Sequence, residues 1–265
     1  MIRQLIPAAF VAMVATPVLV QAQSDFRWSG TAAAGSQVSV NNISGDVKVT
    51  PSTTGKVEVV GIKHGNSQYL DRIKVDVQQT SRGIAVCVIY DDDSYCDDRG
   101  YHSNNRGGRD RERDWNNLSI DLQVAVPPSL MVSASSVSGD VDVRGAQGDV
   151  RANSVSGDVH LDGLHATSVQ ANTVSGNIVV RVDQFTGRGD LSFNTVSGDV
   201  TLEVPRQFDA DLSMSTVSGD INSDFQLLVS GSRVSRRSLD ARIGNGGRRL
   251  DLNTVSGDVK IRMIN

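Results

Sequence analysis

In one recurring phrase of this chain six aspartates each directly follow a glycine: Asp46, Asp140, Asp158, Asp199, Asp220 and Asp258, behind Gly45, Gly139, Gly157, Gly198, Gly219 and Gly257. A seventh copy of the same phrase has Asn177 behind Gly176. If the copies stack, neighbouring carboxylates stand about 4.8 Å apart, one strand spacing. Like charges that close repel, and a hard cation such as calcium would relieve them. The same pairs are also turn chemistry, in which glycine supplies a positive φ and aspartate hydrogen-bonds its own backbone. Asn177 can make the turn but brings no charge, which favours the turn role.

A second acidic group lies in Asp91, Asp92, Asp93, Asp97 and Asp98. These are weak calcium candidates, because their spacing does not follow the alternating aspartates of a helix-flanked calcium loop. A solvated charged loop is the competing reading. Polar residues also recur one step earlier in the phrase: Asn41, Asn153, Asn172, Asn194 and Asn253, with Ser154, Thr173, Thr195 and Thr254 after all but the first. Stacked amides bond along a column and fix register. The hydroxyl rows do not make the flat two-wide array of an ice- or sugar-binding threonine face.

Nothing gathers the acids, bases and nucleophiles that a hydrolase or lyase requires. His64, His102, His160 and His165 occupy unrelated positions, with the last two flanking an expected turn. No Gly-x-Ser-x-Gly elbow occurs. The run Gly244-Asn245-Gly246-Gly247 lacks the following Lys-Ser/Thr of a phosphate loop and reads as a turn. The expectation is a non-enzyme with no catalytic residues and no cofactor.

The elements that position these residues follow from the phrase itself, Asn/Ser-Thr/Ser-Val-Ser-Gly-Asp-Val. From Gly139 to Gly219 its copies are 18, 19, 22 and 21 residues apart, and Gly257 follows after 38, or about two units. Such a period marks a stacked architecture whose units cannot bury a core alone. Val150 and Ala152 share one parity, while Val155, Val159 and Leu161 share the other. A straight strand cannot switch parity, so a bend is expected near Asn153-Ser154. The same shift separates Leu250 and Leu252 from Val255, Val259 and Ile261. The expected fold is all-β: a β-solenoid of stacked rungs over 130–265, preceded by an N-terminal β-rich cap over 23–129. The alternative is a β-sandwich of serial hairpins. Residues 36–90 alternate as strands, 91–114 form a charged loop, and Pro127-Pro128 stop the strand that ends at Val126. The last rung, at 259–265, would present an open strand edge to a partner strand or a second copy.

Residues 1–22 read as a secretory signal peptide: a basic start at Arg3, an apolar run from Leu5 to Val20, and small residues before a cut after Ala22. The run is shorter than the ~20 residues of a membrane-spanning helix. An exported chain makes a Cys87–Cys96 disulfide the default. A formal net charge of −4 leaves no field for nucleic acid.

With its Val126-Pro127-Pro128 lead-in, its Thr-Val-Ser-Gly-Asp-Val units and its Ile243-Gly244-Asn245-Gly246-Gly247 before the last unit, the chain resembles the putative adhesin family of β-strand repeat proteins, also catalogued as a domain of unknown function. The resemblance implies a β-solenoid-like protein of the bacterial envelope and transfers no catalytic residue. The expected function is an exported, non-catalytic adhesin-like binding or scaffolding protein, in the periplasm or at the cell surface. Its partner would be an envelope or surface protein or a glycan, with self-association through the C-terminal rung. A calcium-stabilised structural module and a polysaccharide-acting β-helix enzyme are the alternatives.

Overall fold

A computed structural model describes residues 26–90, 94–97, 100–103, 118–235 and 237–264. The repeats coil between two sheets. One unit runs as strand Val150–Ser156 on one sheet, turns, and runs back as Val159–Ala166 on the other. The next units do the same with Val169–Asn172 and Ile178–Phe185, then with Leu191–Asn194 and Val200–Pro205. Successive rungs pair parallel and in register: Ala152 opposes Ala171 and Ala171 opposes Phe193, while Leu161 opposes Val180 and Val180 opposes Leu202. Serial hairpins would have paired antiparallel, so the repeats form a solenoid-like stack. Strand alternation sends those six side chains inward, where all are fully buried. Each buried valine, leucine or phenylalanine contributes roughly 1.5–3 kcal/mol.

The stack extends through the earlier part of the chain. Gln37–Asn41 lies between Met131–Ser138 and Gly83–Ile89, and Val47–Pro51 lies between Val141–Arg144 and Ser119–Val126. Antiparallel strands finish this end: Val57–His64 and Phe26–Gly30 on one sheet, Lys74–Thr80 on the other. The Cys87–Cys96 disulfide ties Gly83–Ile89 to a hairpin of Ser94–Asp97 and Gly100–Ser103.

Two expectations are corrected. Val155 and Val255 do not face the core: each is about 45% exposed, whereas Ser154 and Thr254 are buried. The strand keeps its parity through the hydroxyl residue, and the chain bends at Val-Ser-Gly-Asp. The buried hydroxyl is tolerated because it finds a carbonyl acceptor, as described below.

The last segment of sequence is also not the last rung in space. Arg249–Asn253 inserts between Leu191–Asn194 and Ala210–Ser215. Val259–Ile264 inserts between Val200–Pro205 and Ile221–Ser223. Both edges are paired over 250–253 and 259–261, so the open edge expected of 259–265 is confined, among the described residues, to one side of 262–264. Copies of one phrase carry equivalent hydrogen-bonding groups, so spatial order need not follow chain order. The 38-residue step to Gly257 contains no extra rung. It is spanned by an antiparallel hairpin of Leu228–Ser235 and Ser238–Ile243, which covers Ala210–Ser215.

The corner fixes where glycine must stand. At Gly198 an added Cβ would overlap the carbonyl of Gly176, and φ is +146°. At Gly55, φ is +73° but the space is open. Gly55→Ala should therefore cost roughly 1 kcal/mol from backbone strain alone. Gly198→Ala, which adds a backbone collision, should cost roughly 2–4 kcal/mol by denaturant unfolding. Equal losses at the two sites would contradict the stacking geometry.

Candidate functional site

Three side-chain columns meet at the corner, each built from one position of the phrase. The amide column confirms the expected ladder: Asn172 Nδ2 donates to Asn153 Oδ1 (3.0 Å), Asn194 to Asn172 (2.9 Å) and Asn253 to Asn194 (2.9 Å). Ser215 closes it by donating its hydroxyl to Asn253 Oδ1 (2.7 Å). In the hydroxyl column each side chain donates to a glycine carbonyl of the neighbouring rung. Ser154 bonds Gly139, Thr173 bonds Gly157, Thr195 bonds Gly176, Thr254 bonds Gly198 and Thr216 bonds Gly257, all at 2.9–3.0 Å.

The carboxylates work between rungs rather than within their own turn. The backbone N–H of Asp140 donates to Asp46 Oδ1 (2.9 Å), that of Asp158 to Asp140 (2.8 Å) and that of Asn177 to Asp158 (2.6 Å). Asn177 Oδ1 accepts from Asp199 (2.9 Å), Asp199 from Asp258 (2.8 Å) and Asp258 from Asp220 (3.0 Å). An amide oxygen accepts as a carboxylate does, which is why Asn177 fits the column.

The column manages its charge by position. Lys260 Nζ lies 3.1 Å from Asp199 Oδ2 and 3.0 Å from Asp258 Oδ2. Asp121, whose Oδ1 accepts from the Asp46 amide, lies 2.8 Å from His64 Nε2. The Asp220 amide first, and Lys260 second, hold the Asp258 carboxyl below the ordinary carboxylate range. Among the described residues no three His, Cys, Asp or Glu side chains converge to hold a metal ion. Asp91, Asp92, Asp93 and Asp98 lie outside the described residues. Asp97 is described, and its Oδ1 lies 2.8 Å from His102 Nε2. His160 and His165 share the strand Val159–Ala166 rather than flanking a turn.

What the corner turns outward is a ladder of valines: Val137, Val155, Val174, Val196 and Val255, each 45–46% exposed, with Val217 at 64%. An exposed serine follows each one. Beside the carboxylates runs an open groove of about 650 Å³, lined among others by Asp46, Lys48, Asp140, Asp158, His160 and Thr201. Sequence reasoning placed the valines inside. The available signal was that a valine and its preceding hydroxyl residue cannot both face inward, and only the hydroxyl has an acceptor there.

Two outcomes follow for the carboxylate column. Asp158→Ala removes an acceptor and should lower the melting temperature by about 2–4 °C. Asp158→Asn, which copies position 177, should stay within about 1 °C of the parent. The folded value of Asp258 lies below its unfolded one, so its stabilisation is present above about pH 4 and is lost as pH falls through the folded value. Asp258→Asn should therefore shrink the acid-induced loss of stability. Unchanged acid sensitivity in a pH series of unfolding curves would contradict this.

The solved structures similar to the chain include two. A "putative cell adhesion protein" from Clostridium sporogenes is 10% identical, with a TM-score of 0.47, over 90% of this chain and 99% of that one. A "putative adhesin" from Bacteroides fragilis is 12% identical, with a TM-score of 0.38, over 90% and 96%. No curated protein matches. The family model described as Toastrack DUF4097 matches residues 13–262, and the chain belongs to that family.

Proposed function

We propose that this is an exported, non-catalytic binding protein of the bacterial envelope, cleaved after Ala22, which engages an envelope or surface protein or a glycan through its repeated corner. The observation that carries the reading is the outward valine ladder, bordered by a serine column and a carboxylate column. Exposed apolar surface in a continuous row marks interaction sites more than isolated exposed residues do. The Cys87–Cys96 disulfide supports an oxidising compartment. The non-catalytic part rests on how the recurring polar groups are used. The threonine hydroxyls, the asparagine amides and the carboxylates each hold the adjacent rung, so they serve the stack rather than a reacting centre.

The test is retention of the secreted chain on immobilised envelope polysaccharides and surface proteins, compared with a Val155→Lys, Val174→Lys, Val196→Lys variant. Exposed substitutions of this kind usually move stability by less than about 0.5 kcal/mol each. Binding should fall at least about tenfold at an unchanged fold, a difference of about 1.4 kcal/mol. Undiminished retention, or cleavage of a polysaccharide by the parent chain, would overturn the reading.

A further inference from the structure

On the opposite corner, where the coil returns to its first sheet, one cation is buried without an anion. Arg248 is only 6% exposed. Its Nη1 donates to the carbonyls of Thr167 (2.9 Å) and Gly189 (2.8 Å), and its Nη2 donates to that of Gly187. The guanidinium carbon stands 4.1 Å from the centroid of the Phe185 ring. Among the described residues no carboxylate lies within ion-pair distance of it. Burial lowers its pKa, and the more distant charge of Asp190 offsets only part of that. A buried charge held by neutral carbonyls alone is an incomplete arrangement, because desolvation of an ion is normally offset by a counter-charge.

Arg248 lines an open cavity of about 150 Å³ together with Phe185, Arg188, Phe208, Asp209 and Gly246. No fully buried side-chain nitrogen among the described residues lacks a partner, and Arg248 Nε makes no hydrogen bond, so this atom keeps some contact with solvent. Arg188 is exposed, and its Nη1 would lie 3.4 Å from a Cβ placed on Gly247, which brings it to the rim of the same cavity. Asp209 is the one acid in the lining, and its Oδ1 already accepts from the Asn245 amide (2.9 Å). The lining itself carries two guanidiniums and one carboxylate, with Asp190 as a more distant negative charge.

We infer that this cavity is a binding site for a single carboxylate group, held between Arg248 Nε and the Arg188 guanidinium. A guanidinium presents donors in a plane that matches a carboxylate, and such charge-assisted bonds are the strong ones. The volume admits that group and a few attached atoms, as in a small organic acid or the acidic sugar of a glycan. The site is separate from the valine ladder and does not depend on the function proposed for that ladder.

The test is a titration of the full secreted chain with acetate and with glucuronate at constant ionic strength, against a chloride control. The readout is the Arg248 Nε–Hε resonance and the Gly247 amide. Both acids should shift these signals saturably. Equal affinities identify a site that reads the carboxylate alone, and tighter glucuronate binding identifies an acidic sugar as its source. Arg188→Gln leaves the three carbonyl bonds of Arg248 in place, so it should keep the melting temperature while weakening both acids about tenfold. Shifts that do not saturate, that chloride reproduces, or that survive unchanged in Arg188→Gln would overturn the proposal.

Discussion

A carbonyl oxygen standing where a side chain would begin is the constraint from which this fold follows. At the repeated corner, the carbonyl of Gly176 occupies the place of a Cβ on Gly198, and that of Gly198 the place of one on Gly257. Glycine lets the backbones of successive rungs come close enough to hydrogen-bond through the bend, as Gly198 N–H does to Ser256 O (2.9 Å). Close approach at the corner then sets the register of the strands on either side. In that register valine meets valine, asparagine meets asparagine, and aspartate meets the next aspartate's amide.

A stacked corner is also a hazard, since it brings many polar groups together away from strand pairing. Each must find a partner or cost free energy. The columns solve this by reaching across rungs: Thr195 satisfies a carbonyl below it, and Asp158 satisfies the amide of Asn177. The side chains that give the phrase its look of chemistry are thus the ones that hold the stack. The residue left with no polar duty is the valine between the hydroxyl and the serine, on which the proposed recognition rests. Its outward position is a by-product of the hydroxyl's inward bond.

Much of this was legible in the sequence. The period, the amide ladder and the disulfide follow from residue spacing and the physics of parallel stacking, as does the need for a bend, although it falls at Val-Ser-Gly-Asp and not at Asn153-Ser154. Three things did not. The aspartates read as turn residues because their true acceptor role lies one rung away, at a distance of 18 to 94 residues along the chain. The order of the last rungs was hidden because Gly219 and Gly257 sit in near-identical phrases, so local pattern cannot say which one pairs with the rung of Gly198. Arg248 gave no signal at all. It stands in an ordinary run of glycines and arginines, and its burial comes from loops that meet only once the coil is closed.

The central claim is that the corner is a locked ladder and not a row of open turns. Residue-resolved hydrogen exchange of the backbone amides of Asp140, Asp158, Asn177, Asp199 and Asp258 tests it most directly. If a neighbouring carboxylate or amide oxygen holds each of them, they should exchange as slowly as the buried strand amides on either side, although several of these side chains are exposed. Exchange at the rate of an open surface loop would show that the bonds between rungs do not persist, and the account of the stack would fall with them.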